Sequence, residues 1–188
     1  MARVIFEYDP PRRFVAGTVG EPGQRTFFLQ ASDAVRTTSV ALEKQQVTVL
    51  AERVDALLDE VVRRTGGETS VPAVAPADID DNEPLASPIE EEFRVGTMAL
   101  AWDGDTEQVV IEAQALTDGE DEEEETSLID ESEDGPPLLR VRISGAAARA
   151  FVKRALAVVA AGRPPCPFCG NPLDPGGHVC PRANGYRR

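Results

Sequence analysis

The sequence contains few of the residues on which common catalytic sites depend. It has one histidine, His178, in 188 residues, so a Ser–His–Asp triad would have to use that residue. The N-terminal glycines Gly17, Gly20 and Gly23 do not precede a predicted helix and therefore form no phosphate-binding loop. Carboxylates are plentiful, but none is visibly paired with another in an apolar stretch. These absences argue against the commonest hydrolase and nucleotide-binding sites.

Cysteines and long apolar runs are also scarce. The chain has three cysteines, so a disulfide would leave one of them unpaired. No apolar run reaches the ~18 residues of a membrane-spanning helix. Residues 1–9 do not have the layout of a signal peptide, because Glu7 and Asp9 interrupt a short apolar run. We therefore expect a cytoplasmic protein with reduced thiols and no membrane partner.

The cysteines and the histidine are concentrated in one short segment. All four residues fall within the fifteen positions from 166 to 180: Cys166, Cys169, His178 and Cys180. Structural zinc sites take four ligands, and three thiolates with one imidazole are a common set. Gly170 follows the second cysteine and suits the chain reversal that a Cys-x2-Cys pair requires. The sequence therefore predicts a structural zinc site with these four ligands.

One feature of this segment departs from the usual zinc site, and two other interpretations of it are weaker. The second pair, His178 and Cys180, is closer together than the usual half of a zinc site. A catalytic zinc ion would keep an open coordination position, which four protein ligands do not leave. Residues 165–169 contain half of the zinc deaminase signature, but the His-x-Glu half is missing. A structural ion remains the preferred interpretation.

The rest of the chain predicts an α+β fold with seven strands and two helices. Apolar residues recur at three- and four-residue steps from Val47 to Val61 and from Ala148 to Val159, which is typical of amphipathic helices. Ser144 is a candidate N-cap of the second helix. The predicted strands span residues 4–8, 12–19, 25–30, 36–42, 93–102, 107–116 and 138–143.

The two halves of the chain resemble each other in the same order. Residues 14–18 match 93–97, residues 27–31 match 109–113, and helix positions 50–54 match 151–155. We interpret them as two tandem β-β-β-α repeats, the first with an extra N-terminal strand. Shared propensity alone is the alternative. The predicted division is a first repeat at 1–66, a linker at 67–90, a second repeat at 91–162 and a zinc-ribbon-like tail at 163–188.

Most of the net charge of −14 comes from one segment. Between Asp118 and Asp134 there are eleven acidic residues and no basic ones. Such a segment cannot bury enough apolar surface to order itself, so we expect a disordered loop at 118–136. It is either a solvated spacer, or a charged segment that attracts a basic partner or masks the basic tail.

The whole chain resembles an actinobacterial "repeat protein" family, a domain of unknown function, and the resemblance is most specific in the tail. The resemblance is carried by residues 163–170, 172–175, 177–182 and 184–188, with the pattern CPxCG…HxCPR, and it extends to Phe6, Glu7 and Tyr8. It implies a bacterial cytoplasmic protein with a zinc-type tail, and it implies no particular activity.

Three functions are compatible with these features. The preferred one is a non-enzymatic adaptor whose basic tail contacts a protein complex or nucleic acid through Arg182, Tyr186, Arg187 and Arg188. The overall acidity argues against a broad nucleic-acid surface. The alternatives are a metal- or carboxylate-dependent hydrolase of unknown substrate, and a zinc ion that only orders the end of the chain.

Overall fold

The computed structural model describes residues 2–117, 134–162, 165–171, 173, 177–180 and 182. Within them the chain has a mixed α+β fold with one seven-stranded sheet and two α-helices, which confirms the predicted class. The strands are β1 (Ile5–Tyr8), β2 (Arg13–Val19), β3 (Thr26–Ser32), β4 (Thr37–Leu42), β5 (Glu91–Asp103), β6 (Gln108–Ala115) and β7 (Leu138–Ser144). The helices are α1 (Lys44–Arg64) and α2 (Gly145–Ala160), and a short 3-10 helix spans Ala77–Ile79. The observed ends of each strand lie within two residues of the predicted ones.

Both halves of the chain contribute to the same sheet. The strand order is β1-β7-β6-β5-β4-β3-β2, and all pairs are antiparallel except β1 with β7 and β4 with β5. The parallel pair β4–β5 is where the two halves join. Read across the sheet, β7-β6-β5 repeats the order of β4-β3-β2. The division of the chain into separate domains, and a common origin of the halves, stay predictions.

The sheet is strongly curved. The Tyr8 hydroxyl on β1 lies 2.8 Å from the Thr38 hydroxyl on β4, although three strands separate β1 from β4. In a flat sheet these strands would be about 19 Å apart, at ~4.8 Å per strand, which exceeds the reach of a tyrosine side chain. Curvature therefore brings them together, and the buried residues of this face form one core with both helices.

Each helix buries one apolar stripe against this core. On α1 the buried residues follow the predicted period: Val47, Leu50, Ala51, Val54, Leu58 and Val61. The helix begins after Glu43, whose backbone N–H donates to Gln46 Oε1 over 2.8 Å. Ser144 caps α2 as predicted, because its hydroxyl accepts a hydrogen bond from the Ala147 N–H over 3.2 Å. Among the described residues, neither helix is long and apolar enough to cross a membrane.

Residues 67–90, which the sequence predicts to be a linker, cross from the helix side to the outer face of the sheet. Val71 packs on Gly145 at the start of α2, where a Cβ atom would lie 2.7 Å from a Val71 methyl group. Farther along, Asp81 bonds Arg13 on edge strand β2, and Leu85 is buried on the outer face. The crossing segment therefore packs on the outer face of the sheet and contacts edge strand β2 through Asp81.

Two predicted segments fall partly outside the described residues. Of the acidic loop predicted at 118–136, residues 118–133 lie outside, and Asp134 forms an isolated antiparallel bridge with Ala2. Of the tail, Arg182 is described, whereas Tyr186, Arg187 and Arg188 lie outside.

Candidate metal centre

The structure brings together the four residues that the sequence predicts as metal ligands. Their ligand atoms all lie within 4.8 Å of one another, close enough to bind a metal ion: Cys166, Cys169, His178 and Cys180. We call these four residues the Cys3His cluster. Cys166 and Cys180 are buried, while Cys169 and His178 are partly buried. The cluster therefore lies mostly out of water even though it is close to the end of the chain.

The first half of the cluster is a tight turn built by its own backbone. The Cys166 N–H donates to the Asn171 carbonyl over 2.7 Å, and the Gly170 N–H donates to the Cys166 carbonyl over 2.8 Å. The Phe168 N–H points at the Cys166 sulfur, at 3.4 Å. Gly170 has a φ of 76°, a left-handed conformation that glycine adopts without strain. The local sequence therefore places the first two sulfurs on the same side of the turn.

The distances within the cluster fit one shared ion better than a covalent link. Cys166 Sγ and Cys180 Sγ are 3.8 Å apart, and Cys169 Sγ is 3.3 Å from His178 Nε2. A disulfide needs about 2.05 Å between sulfurs, so these thiols are free. A tetrahedral ion with Zn–S bonds of about 2.3 Å and Zn–N bonds of about 2.0 Å needs about 3.8 Å between sulfurs and about 3.5 Å between sulfur and nitrogen. The two observed distances are close to these values, and all the ligand atoms lie within 4.8 Å of one another.

The two thiols of the first turn have shifted pKa values in opposite directions. The pKa of Cys166 is lowered, chiefly because the Cys169 backbone N–H donates to its sulfur. The Asn171 N–H acts on Cys169 in the same way, but burial and the Cys180 and Cys166 sulfurs outweigh it and raise the pKa of Cys169. Crowded sulfurs therefore resist sharing several negative charges, a conflict that a bound cation would remove.

The histidine ring presents Nε2 to the sulfurs. Its other nitrogen, Nδ1, is buried and has no hydrogen-bond partner among the described residues. A metal-bound histidine commonly donates from its second nitrogen to an oxygen acceptor, which fixes the ring. In the described part of the chain, the orientation of His178 therefore depends on the cluster itself.

The residues between the ligands are apolar and exposed. Phe168 lies between Cys166 and Cys169 and is 63% exposed, and Val179 lies between His178 and Cys180 and is 82% exposed. Large side chains exposed to this degree in so short a segment are candidates for contact with a partner. The sequence-based prediction named three arginines and Tyr186 for partner contact and missed these two. The signal was present in the sequence, because both residues are apolar and lie between closely spaced members of the cluster.

Of the predicted partner-binding residues, the structure describes Arg182. Its guanidinium donates to the Phe168 carbonyl over 3.3 Å, so a positive charge lies beside the exposed ring. The structure makes no statement on Tyr186, Arg187 or Arg188, which lie outside the described residues.

The carboxylates of the described chain form no comparable centre. Among these residues the one buried acid is Glu112, and the Arg140 guanidinium lies 2.6 Å from its Oε1. A carboxylate held in an ion pair at this distance is committed to that pair. The Cys3His cluster is thus the feature of the described residues with the clearest chemistry.

Comparison with known proteins identifies a family for the chain. The model of the DUF3090 family, described as a protein of unknown function, matches residues 6–180. This span ends at Cys180 and therefore includes the whole Cys3His cluster. No curated protein and no solved structure matches the chain. The predicted resemblance to a domain of unknown function is confirmed, while an actinobacterial origin stays a prediction.

Proposed function

The chain belongs to the DUF3090 family, and we propose that it is a non-enzymatic adaptor whose tail is ordered by one structural zinc ion. The exposure of Phe168 and Val179 beside the Cys3His cluster, two members of which are buried, is the observation that carries this proposal. A short segment with little core of its own gains a fixed shape when four of its residues bind one ion. That shape turns both apolar side chains outward.

The donor set supports zinc as the ion. Three thiols and one imidazole combine soft sulfur with nitrogen, a set that suits zinc and disfavours calcium and magnesium, which prefer oxygen. Four protein ligands complete a tetrahedron and leave no position for a water molecule. A hydrolase based on this ion would need such a position, so the geometry favours a structural role.

The charge of the tail supports a role in contact. Residues 163–188 contain four arginines and one aspartate, in a chain whose net charge is −14. In this proposal Arg182, Tyr186, Arg187 and Arg188 act together with the apolar pair in contact with a protein complex or nucleic acid. The contact takes place in the reducing cytoplasm, where the thiols remain available to the ion.

The body of the chain is proposed to be a duplicated platform for this tail. The order β-β-β-α occurs twice after β1, and the strands of both halves follow the same order across the sheet. Two tandem repeats that share one sheet would explain both observations.

A comparison of two variants tests the adaptor function. Phe168→Ser combined with Val179→Ser removes the apolar surface and keeps the four ligands, whereas Cys166→Ser removes one ligand. Partners are crosslinked in cells to the wild-type chain and to each variant, with and without nuclease treatment, and identified by mass spectrometry. We expect the surface variant to keep its zinc and lose the partner, and Cys166→Ser to lose both. A partner retained by both variants contradicts the proposal, and loss after nuclease identifies nucleic acid as the contact.

A further inference from the structure

A cleft of about 510 Å³ opens where the β2–β3 turn, the start of α1 and the end of α2 meet. Its walls are formed by Gly23, Arg25, Phe27, Lys44, Val159 and Gly162. Small-molecule sites in proteins commonly have volumes of about 300–1,000 Å³. The cleft is separate from the Cys3His cluster in its lining residues, so the adaptor proposal does not account for it.

Two positive charges converge in this cleft. Lys44 Nζ and Arg25 Nη2 lie 3.5 Å and 3.6 Å from the point that a Cβ atom of Gly162 would occupy. Glycine leaves that point empty, and both cations face it. Of the ion pairs formed within the described residues, none involves Lys44 or Arg25.

Such a pair is unexpected in a chain with a net charge of −14. Two like charges at close range repel each other, and the surplus of carboxylates would allow each cation its own partner. An anion placed between Lys44 and Arg25 would convert this repulsion into two attractive contacts. The Arg25 guanidinium carbon also lies 5.6 Å from the centroid of the Phe27 ring, within the range of a cation–π contact. A planar guanidinium suits the oxygen atoms of a phosphate group.

The remaining walls are apolar. The Phe27 side chain is buried, Val159 is partly buried, and both line the same cleft as the cations. We propose that this cleft binds a small organic phosphate, with the phosphate group between Arg25 and Lys44 and an apolar or aromatic body against Phe27 and Val159. The two cations match a group with about two negative charges. Because the other walls are apolar, we expect an organic phosphate to bind more tightly than inorganic phosphate.

A purely structural role for the cations is the competing explanation. The Val159 carbonyl at the end of α2 lies 3.8 Å from the same empty point. Cations near a helix C-terminus stabilise it through the helix dipole, with no ligand required. The two explanations differ in one respect: anion binding makes the effect of Arg25 and Lys44 depend on an added phosphate compound.

Titration of the full-length chain with phenyl phosphate tests the proposal. Amide resonances are followed by NMR in the wild type, in Arg25→Gln and Lys44→Gln, and in the control Arg12→Gln. Arg12 is exposed and lies at the end of the β2–β3 hairpin opposite its turn, so it is not among the cleft walls. We expect saturable shifts that include the Gly162 and Phe27 amides, with affinity at least tenfold lower in Arg25→Gln and Lys44→Gln and unchanged in Arg12→Gln. Inorganic phosphate and benzyl alcohol, which each lack one half of the ligand, should bind at least tenfold more weakly than phenyl phosphate.

Two results would overturn the proposal, and a third would assign the cations a purely structural role. Absence of saturable shifts in the wild type, or equal affinity in the wild type and both cleft variants, overturns the proposal. If Arg25→Gln and Lys44→Gln lower the Tm to the same extent with and without phenyl phosphate, the only role of the two cations is to stabilise the C-terminal end of α2. The unchanged remainder of each spectrum shows that a variant is folded.

Discussion

Gln30 and Ala86 exchange two hydrogen bonds across the outer face of the sheet. The Gln30 side-chain amide accepts from the Ala86 N–H over 2.7 Å and donates to the Ala86 carbonyl over 3.0 Å. The same amide nitrogen donates to the Ser39 hydroxyl over 3.0 Å, and Gln30 is 2% exposed. A side chain of β3 therefore pairs with the crossing segment as a neighbouring strand would, and holds it against the sheet.

Replacing this amide should destabilise the fold. Gln30→Leu keeps the volume but leaves the Ala86 N–H and carbonyl without their partner, and a buried polar group left unpaired costs about 1–3 kcal/mol. We expect the free energy of unfolding to fall by that amount, measured by urea denaturation. The control is Gln45→Leu on the exposed face of α1, which should change stability by no more than about 0.5 kcal/mol. Equal urea midpoints for the two variants would show that the Gln30–Ala86 pair does not anchor the crossing segment.

Arg149 links the two helices in an asymmetric way. It lies on α2 and is 6% exposed, while its partners on α1, Asp55 and Asp59, are 46% and 69% exposed. Its Nη2 lies 2.6 Å from Asp59 Oδ1, and its Nε donates to the Pro72 carbonyl over 3.1 Å. The cation is thus buried, whereas the two carboxylates are largely in water.

This asymmetry predicts an order of stabilities. Asp55→Asn combined with Asp59→Asn leaves a buried guanidinium without a counter-ion and should cost about 2–4 kcal/mol. Arg149→Met keeps the apolar stem and leaves two hydrated carboxylates, so it should cost about 1–2 kcal/mol. Chemical denaturation at pH 7 measures both. A larger loss of unfolding free energy in Arg149→Met than in the double aspartate variant would show that burial of the unpaired guanidinium does not set the order.

Local patterns were sufficient for the secondary-structure elements and for the grouping of the four residues of the Cys3His cluster. The α1 period from Val47 to Val61 reappears as its buried stripe, with Leu57 partly buried, and the four cluster residues occur in one short segment, so chain connectivity keeps them close. The path of the chain was not predictable. Tyr8 meets Thr38 although three strands from the second half lie between β1 and β4, because the sheet curves, and this curvature depends on packing across the whole sheet. Residues 67–90 have weak periodicity, since their contacts come from scattered positions such as Asp81 and Leu85.

Metal content gives a direct prediction for the Cys3His cluster. We expect one zinc ion per chain by elemental analysis of protein purified without chelator, and none in Cys166→Ser, because three ligands bind a structural ion far more weakly than four. Co²⁺ substitution should give thiolate-to-metal absorption in the wild type that is lost in Cys169→Ser.

Because the hydrophobic core is formed by the sheet and helices, chelation should increase cleavage of the tail by protease and leave the Tm of the body nearly unchanged. Metal-free wild-type protein with a protease-resistant tail would remove the basis of the zinc assignment.

Asp81 predicts a specific dependence of stability on pH. Arg13 donates to its two carboxylate oxygens over 2.5 Å and 2.9 Å, and Arg154 of α2 donates to it over 2.9 Å. The hydrogen bond from Arg13 is the main reason that the pKa of Asp81 is lowered from its ordinary value, and the charges of Arg13 and Arg154 act in the same direction against burial. This carboxylate therefore joins the edge strand, the crossing segment and α2 while it is ionised.

The sign of the effect follows from that lowered pKa. The folded state binds the Asp81 proton more weakly than the unfolded state, so the stabilisation is present above the unfolded pKa of about 3.9 and is lost as the pH falls through the folded value. Asp81→Asn should therefore be less stable than the wild type at pH 7, by about 1 kcal/mol for a partly exposed charge-assisted pair. The difference in unfolding free energy should narrow steadily from about pH 5 downward, measured by urea denaturation at several pH values.

The control is Asp78→Asn. Asp78 is an exposed aspartate of the same segment with no ion pair among the described residues, so this variant should match the wild type at every pH. A deficit in Asp81→Asn that stays constant down to about pH 2 would show that the side chain acts through its shape and not through its charge.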